Sequence, residues 1–237
     1  MAISDLPLPA EVGSQSFKDA AHMAQALAER VARALDDAVS QQGGASLVVS
    51  GGRSPIAFFE ALSTCELDWS RVQVSLADER WVDVSDPDSN EGLLRRHLLQ
   101  NAAAEAQLIG LSQPAESLDQ AAHQAGQKLS SLRQPIDVLV LGMGSDGHTA
   151  SLFPDSPMLE QALDPDGTER CLPMLAPSKP QQRITMTYPL LVSARTQILS
   201  IQGSEKLETL QQALSVEPMQ MPIRAFLHSP LEIYWCP

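Results

Sequence analysis

Hydrophobic residues follow two different patterns along this chain. Between Ser16 and about Ser40 they recur every three or four positions, which predicts an amphipathic helix that ends at Gly43 and Gly44. Elsewhere, short continuous runs of Val, Leu and Ile are bounded by turn residues, as is typical of strands buried on both faces. The pattern therefore predicts helices that alternate with buried strands.

The alternation extends over the whole chain. Strands are expected at residues 46–50, 72–77, 107–111, 136–141, 184–187, 197–202, 223–227 and 231–235. Further helices are expected directly after Ser54 and at residues 92–99, 118–132 and 206–214, and residues 155–180 are expected to form a loop that rims a site, with a helical fragment at 158–162. This alternation is typical of an α/β fold, a three-layer sandwich with a mostly parallel central sheet. Because no repeat or clear boundary interrupts it, residues 1–237 are expected to form a single domain.

Two helix starts carry capping signals. Ser54 has a hydroxyl suited to an N-cap, and Pro55 suits the first helical position because its missing N–H is not needed there. Asp88 and Glu91 have the spacing of a capping box ahead of the helix at residues 92–99. We therefore expect Ser54 and Asp88 to cap these two helices.

Composition and charge narrow the class of protein. The chain has a formal net charge of −13 at pH 7, which argues against nucleic acid as a partner. No apolar stretch approaches the roughly 20 residues of a membrane span, and the N-terminus lacks the features of a signal peptide. The three cysteines are odd in number and widely spaced, so neither a disulfide framework nor a zinc site is expected. We expect a cytoplasmic protein that binds neither nucleic acid nor membranes.

Three polar segments each follow an expected strand. They are SGGRSP at residues 50–55, DER at 78–80 and GMGSDGHT at 142–149. In an open parallel α/β sheet, ligands bind beyond the carboxyl ends of the strands. The three segments are therefore expected to converge on one crevice.

The first segment favours a phosphate. It places two glycines and a hydroxyl residue between a strand and a helix N-terminus, where free N–H groups and the helix dipole attract an anion. It is not a Walker A loop, since the Lys-Ser/Thr ending is absent. An ordinary tight turn with a Ser-Pro cap is the alternative explanation.

The second segment places Asp78 and Glu79 beside Arg80. A guanidinium can hold a phosphate or a carboxylate, and a carboxylate can orient a reacting group. A surface ion cluster explains this segment equally well when it is considered alone.

The third segment matches the dinucleotide-binding fingerprint through Gly142, Gly144 and Gly147. However, Asp146 would place a negative charge where the pyrophosphate should lie, and Pro154 interrupts the helix that should follow. No nicotinamide or flavin cofactor is therefore expected.

The third segment also offers a base. A histidine such as His148 can transfer protons near neutral pH, and the carboxylate of Asp146 can fix its tautomer. Arg183 and Lys206 lie close to expected strand ends, so they can add positive charge near the expected phosphate site of this acidic protein. Considered alone, each of them is explained as a solvated surface charge. No HExxH, GxSxG or Cys-centred nucleophile pattern is present, so water activated by a base is the simpler hypothesis.

The three segments resemble the signature regions of the 6-phosphogluconolactonase family. The matching stretches are SGGRSP at 50–55, DERWVDVSDPDSN at 78–90 and LGMGSDGHTASLFP at 141–154, in the family's order and spacing. The resemblance covers nearly the whole chain. It implies a Rossmann-like fold shared with glucosamine-6-phosphate deaminases, a role in the oxidative pentose phosphate pathway, and no metal or organic cofactor.

The resemblance also implies the roles of individual residues. His148 would draw a proton from the attacking water, and Asp78 and Asp146 would orient the substrate or the base. The 6-phosphate and nearby hydroxyls of a phosphorylated sugar lactone would be held by Ser50, Gly51, Gly52, Arg53, Ser54, Arg80, Arg183 and Lys206.

Two alternative functions are open. Glucosamine-6-phosphate deaminases tend to have Tyr where this chain has Arg80 and Glu where it has Phe153, so both departures favour the lactonase branch. The second alternative is a regulator that binds sugar phosphates without turnover, although His148, Asp78 and Arg80 together exceed what binding requires. A monomer or a weak homodimer is expected.

Overall fold

The computed structural model describes residues 2–228 and 230–237, which form a large parallel sheet, its covering helices and a small antiparallel sheet. The strands are β1 Gly13–Ser16, β2 Ala45–Val49, β3 Val72–Leu76, β4 Asp78–Arg80, β5 Gln107–Ile109, β6 Val138–Leu141, β7 Cys171–Leu175, β8 Gln182–Met186, β9 Thr196–Gln202 and β10 Leu231–Cys236. The helices are α1 Ala20–Gln42, α2 Ile56–Ser63, α3 Asn90–His97, α4 Leu118–Lys128, α5 Leu159–Leu163, α6 Tyr188–Val192 and α7 Ser204–Ala213. Short 3₁₀ helices occur at Ile3–Asp5, Trp69–Arg71, Asn101–Glu105, Leu129–Ser131 and Pro222–Phe226. In this described part of the chain, no helix combines the length and the apolar character needed to cross a membrane.

The large sheet has the strand order β1-β10-β9-β6-β2-β3-β5, and neighbouring strands run parallel. The chain enters the middle of the sheet at β2, proceeds through β3 to β5 at one edge, and returns to β6 on the other side of β2. Val49 near the end of β2 pairs with Leu76 of β3 and with Val140 of β6. The predicted parallel α/β architecture is confirmed, and the strand order reverses between β2 and β6, where open α/β sheets bind ligands.

The hydrophobic core lies against the faces of this sheet. All residues of β2 and β6 are buried, and all except Ser46 are apolar, as expected for strands covered on both faces. Helix α1 packs on β2 and β10 through Leu27, Val31 and Leu35, which are spaced four residues apart and fully buried. Burial of each of these side chains contributes about 1.5–3 kcal/mol. The continuous apolar runs in the sequence therefore correspond to the strands of the sheet, and the recurrence of apolar residues every three or four positions corresponds to α1.

The first helix starts later than predicted. Helix α1 begins at Ala20 rather than at Ser16, because the Asp19 carboxylate accepts a hydrogen bond from the His22 N–H at 2.9 Å and caps the helix. Residues 13–16 instead pair with β10 as the strand β1. All four are exposed, so they lack the apolar residues by which a strand is recognised.

Two predictions in the second half of the chain are also wrong. The expected strand at residues 223–227 is a 3₁₀ helix, because Pro222 opens the turn and the Ile223 N–H donates to the Gly147 carbonyl rather than to a strand. The loop expected at residues 155–180 contains β7. This strand pairs with β8, which in turn pairs with β4, in an antiparallel sheet.

The second helix begins one residue later than predicted. Pro55, rather than Ser54, occupies the N-cap position of α2, and within the described chain no side chain caps this helix. The N-terminal turn of α2 therefore keeps main-chain N–H groups that are not capped by a side chain.

The third helix is capped by a different residue from the one predicted. The Ser89 hydroxyl, rather than Asp88, accepts a hydrogen bond from the Gly92 N–H at 3.0 Å. Glu91 does not close a capping box, because its carboxylate accepts hydrogen bonds from the Arg95 guanidinium, the shorter at 2.8 Å. A serine next to an aspartate leaves two candidate caps in the sequence, and only the backbone geometry decides between them.

We expect Ser89→Ala to lower the free energy of unfolding by about 1 kcal/mol, because it removes the N-cap of α3. Asp88→Ala is the matched control, and it should leave the stability nearly unchanged because the exposed Asp88 side chain does not cap the helix. Urea denaturation of both variants measures the difference. A larger loss in the Asp88 variant would contradict the assigned cap.

Candidate active site

A cavity of about 370 Å³ lies at the carboxyl ends of β2, β3, β6 and β9. Cavities that hold small ligands have volumes of roughly 300–1,000 Å³. The three polar segments converge here, as predicted. The predicted site residues that line the cavity are Ser50, Gly51, Gly52, Ser54, Asp78, Arg80, His148, Arg183 and Lys206. The exposed Arg53 is not part of the cavity wall, and Asp146 lies behind His148.

His148 and Asp146 form a hydrogen-bonded pair. Nδ1 of His148 lies 2.5 Å from Oδ1 of Asp146, and the His148 main-chain N–H donates to the same oxygen at 3.1 Å. Burial raises the pKa of Asp146, but the hydrogen bond and charge of His148 outweigh it and hold this pKa below its usual value. An ionised carboxylate only accepts hydrogen bonds, so the proton stays on Nδ1 and the lone pair of Nε2 is free to act as a base.

The loop at residues 142–149 needs glycine at two positions. A β-carbon at Gly144 would overlap both His148 Nδ1 and Asp146 Oδ1. Gly147 has a φ of +76°, in the left-handed region, and a β-carbon there would lie 2.7 Å from the β-carbon of Met221. Gly144 therefore leaves room for the His148–Asp146 pair, and Gly147 allows the turn to pack against Met221.

Phe153 separates the histidine from a buried arginine. The ring centroids of Phe153 and His148 are 4.4 Å apart, and the Arg183 guanidinium carbon lies 5.8 Å from the Phe153 centroid. Phe153 is only 6% exposed and lines the cavity. Its ring therefore packs against both side chains, through an aromatic contact with His148 and a cation–π contact with Arg183.

Two guanidinium groups come from paired positions of the small sheet. Arg80 of β4 is paired with Arg183 of β8, and like charges at such positions destabilise a strand pair. Burial, together with the charge of Arg80, lowers the pKa of Arg183. Arg183 donates to the Pro180 carbonyl at 2.8 Å and Arg80 donates to the Asp88 carbonyl at 2.6 Å, but neither forms a salt bridge with another described residue. The pair forms a positive wall that an anionic ligand would neutralise.

Asp78 faces the cavity from the start of β4. Its side chain is 6% exposed, and its Oδ2 accepts a hydrogen bond from the Ser151 hydroxyl at 2.5 Å. Its main-chain carbonyl accepts a hydrogen bond from Asn90 Nδ2 at 2.9 Å. Asp78 is thus held in position from the loop after β6 and from α3.

Glu79 is fully buried beside the cavity and joins β4 to α3. Its carboxylate accepts hydrogen bonds from the main-chain N–H groups of Arg80 at 2.7 Å, Asn90 at 2.8 Å and Glu91 at 2.7 Å. Burial raises the pKa of Glu79 to about 7, while these three N–H groups act to lower it. Glu79 therefore positions two cavity residues, Arg80 and Asn90, by holding their backbone.

The sequence assigns no role to Asn90, which lines the cavity, or to Ser151, which holds the Asp78 side chain. Both lie inside the family-like stretches, but the identity of a single polar residue does not reveal the direction of its side chain. Lys206 was predicted, and it reaches the cavity from the first turn of α7, which starts two residues earlier than expected. The spacing between Asp78 and Asn90 carried no helical or strand period that would have linked them.

The described residues do not form an evident metal centre. Among residues 2–228 and 230–237, no group of three or more His, Cys, Asp or Glu side chains is placed to hold a metal ion. The three cysteines are free, and none of them lines the cavity.

The fold and the cavity together define a class of protein. An α/β sheet places a cationic wall and a carboxylate-oriented histidine at its topological switch point. This is the arrangement of a protein that binds a small anionic ligand and can perform base chemistry on it.

Sequence similarity to known proteins extends over nearly the whole chain. Residues 18–235 match the family model described as glucosamine-6-phosphate isomerases/6-phosphogluconolactonase, and the chain belongs to this family. A 6-phosphogluconolactonase of Pseudomonas aeruginosa is 60% identical, with 100% of both chains covered, and one of Pseudomonas putida is 58% identical, with 100% of this chain and 98% of that protein covered. The crystal structure of a 6-phosphogluconolactonase from Shewanella baltica matches with a TM-score of 0.93 at 40% identity and covers 97% of this chain and 100% of that chain.

The raised pKa of Glu79 predicts a specific dependence of stability on pH. Because the folded state holds the Glu79 proton more tightly than the unfolded state, this stabilisation is fully present below about pH 4.5 and is lost as the pH rises through about 7. A difference of this size corresponds to about 3 kcal/mol. In Glu79→Gln, the side chain no longer titrates, so the free energy of unfolding should fall less between pH 5 and pH 8 than in the wild type.

Urea denaturation at several pH values measures this difference. Glu116→Gln is the matched control. Because Glu116 is exposed, the free energy of unfolding of this variant should depend on pH as that of the wild type does. Parallel pH profiles for the wild type and Glu79→Gln would refute the prediction.

Proposed function

We propose that this protein hydrolyses 6-phospho-D-glucono-1,5-lactone to 6-phospho-D-gluconate, the ring-opening step of the oxidative pentose phosphate pathway. The observation that carries the proposal is the His148–Asp146 pair in one cavity with the positive wall of Arg80 and Arg183. Relatives that are 60% and 58% identical over almost their full length bear the name 6-phosphogluconolactonase, which supports the same activity here. The ligand is accordingly a phosphorylated sugar lactone.

The cations of the cavity hold the phosphate of this substrate. Arg80 and Arg183 supply two guanidinium groups, and Lys206 adds an ammonium from the start of α7. The loop at residues 51–54 adds main-chain N–H groups and the Ser54 hydroxyl next to the N-terminus of α2, whereas Ser50 contributes to holding the nearby hydroxyls of the sugar. Binding the phosphate orients the lactone before the reaction, which removes much of the entropic cost of reaching the transition state.

His148 then acts as a general base. Its Nε2 takes a proton from a water molecule while the water oxygen attacks the C1 carbonyl carbon of the lactone. The tetrahedral intermediate collapses as the bond between C1 and the ring oxygen breaks. His148 returns the proton to the departing ring oxygen, which becomes the 5-hydroxyl, so that one water molecule is consumed in total.

Two carboxylates assist this step in different ways. Asp146 holds the imidazole ring and stabilises the imidazolium that forms when His148 takes the proton. Asp78 orients the substrate from the start of β4, and its own side chain is held by a hydrogen bond from the Ser151 hydroxyl. Because such lactones also open spontaneously, a modest acceleration by a positioned base is sufficient.

The deaminase alternative is less well supported. In that branch, a Glu that assists the opening of the amino sugar ring stands where this chain has Phe153. The Phe153 side chain is buried between His148 and Arg183 and cannot transfer a proton. A lactone needs no such group, because it already presents an electrophilic carbonyl carbon.

We further propose a single cytoplasmic domain that is a monomer or a weak homodimer and has no nucleic-acid partner. A continuous hydrophobic cluster that includes residues from Ile3 to Cys236 supports one domain. The three free cysteines suit a reducing compartment. Among the described residues, Leu175 and Met219 are the large hydrophobic side chains that are exposed, which does not indicate an extensive permanent interface.

His148→Ala should lower kcat for 6-phosphogluconolactone hydrolysis by about 10²–10⁴-fold, since it removes the base, and should largely preserve the binding of 6-phospho-D-gluconate. The lactone is generated in situ from glucose 6-phosphate, and rates are compared with the spontaneous rate. His123→Ala is the matched control, because His123 is exposed on α4 and does not line the cavity. Equal losses of turnover and binding in His148→Ala would contradict the role of His148. If the wild type does not hydrolyse the lactone faster than the spontaneous rate, lactonase activity is excluded.

Arg183→Leu should raise KM about tenfold or more and lower kcat less, because it removes a cation that is committed to the phosphate. The control is Arg71→Leu, since Arg71 lies before β3 at the opposite edge of the sheet and pairs with Asp68. Steady-state kinetics of both variants test the prediction. An unchanged KM in Arg183→Leu would place the phosphate elsewhere.

A further inference from the structure

Asn90 presents an unpaired acceptor in the cavity wall. It is the first residue of α3, its side chain lines the cavity, and the residue is only 2% exposed. Its Nδ2 donates to the Asp78 carbonyl at 2.9 Å, whereas its Oδ1 is buried and accepts no hydrogen bond from any described residue. A buried acceptor without a donor is unfavourable, so this oxygen is poised to gain a hydrogen bond from a ligand.

The orientation of the Asn90 amide follows from its surroundings. In the reversed orientation its oxygen would face the Asp78 carbonyl, which is also an acceptor, and the hydrogen bond would be lost. Gly51 lies against the same group, since a β-carbon at this position would overlap Asn90 Oδ1. The backbone is fixed as well, because the Asn90 N–H donates to the buried Glu79 at 2.8 Å. The unpaired atom is therefore the amide oxygen, held in one place.

An amide oxygen discriminates between the two ends of a sugar phosphate. Phosphate and carboxylate oxygens are acceptors and cannot pair with it, whereas a hydroxyl group can donate to it. The adjacent loop contributes Ser50, whose Oγ is also buried without a partner among the described residues. The cavity thus has two kinds of wall, a cationic one at Arg80 and Arg183 and an uncharged one at Asn90 and Ser50.

We propose that Asn90 determines specificity for the sugar, and that its Oδ1 accepts a hydrogen bond from one hydroxyl group of the phosphorylated substrate. This inference rests on the proposed function and deepens it, because the cations recognise the phosphate and Asn90 recognises the hydroxylated carbon chain. Phosphorylated ligands that lack this hydroxyl bind less tightly. Gly51 is required at its position because any side chain there would displace the acceptor.

The test compares four ligands on two proteins. Isothermal titration calorimetry gives Kd for 6-phospho-D-gluconate and for its 2-deoxy, 3-deoxy and 4-deoxy analogues, with the wild type and with Asn90→Ala. In the wild type, removal of the hydroxyl that Oδ1 binds should raise Kd about tenfold, as expected for one buried hydrogen bond. In Asn90→Ala, removal of the same hydroxyl should change Kd little, because the acceptor is already gone.

Two results would overturn the proposal. One is an Asn90→Ala protein that binds all four ligands more weakly by one common factor and keeps the full wild-type dependence on each hydroxyl, since Asn90 would then act only by holding Asp78. The other is a wild type that does not distinguish any of the three deoxy analogues from 6-phospho-D-gluconate.

The controls separate this inference from the catalytic proposal. Lys206→Ala should weaken the binding of all four ligands by a common factor and preserve the dependence on the hydroxyl, because Lys206 contacts the phosphate. Asn90→Ser is the second variant if Asn90→Ala does not fold, since it also withdraws the acceptor. Because binding is measured, a wild type that binds but does not hydrolyse the lactone would count against the proposed function alone. A wild type that does not bind 6-phospho-D-gluconate would overturn both.

Discussion

The parallel pairing of β2 with β3 on one side and with β6 on the other is the constraint on which the site depends. It places the ends of three buried strands at one edge of the sheet, so the loops that follow them must meet. The residues of β2 and β6 are buried on both faces of the sheet, and all except Ser46 are apolar, so the surrounding core holds both strands in place. A rigid apolar sheet thereby holds a polar cavity whose members are far apart along the chain.

The cavity concentrates unfavourable interactions that a ligand would relieve. Arg80 and Arg183 occupy paired positions in a protein with a net charge of −13, and neither has a carboxylate partner among the described residues. The buried Glu79 holds the adjoining backbone and so keeps Arg80 and Asn90 in place without neutralising the cations directly. The hydrophobic core stabilises the fold enough to tolerate these unfavourable interactions, as is common in proteins with a functional site.

The sequence predicts the large sheet because buried parallel strands are continuous apolar runs. It predicts the convergence of the polar loops because parallel strands end at one edge. β1 and β4 were missed, since the former is a short exposed edge strand and the latter consists of three charged residues, and their pairing depends on tertiary neighbours. The position of Asn90 in the cavity wall is not evident from the sequence for a related reason: the orientation of this side chain at the start of α3 is decided by atoms distant in sequence, here the Asp78 carbonyl and the Gly51 backbone. The family resemblance located the polar segments, and the structure shows that they line one cavity.

We propose that one cavity holds the phosphate at its cationic wall and presents the reacting carbon to His148. A crystal structure of the protein with 6-phospho-D-gluconate bound is the decisive experiment. We expect the phosphate in contact with Arg80, Arg183 and Lys206, and the C1 carboxylate carbon within about 3–4 Å of His148 Nε2 or of a water bound to it. A phosphate bound beside His148, with C1 directed toward the arginines, would refute this orientation.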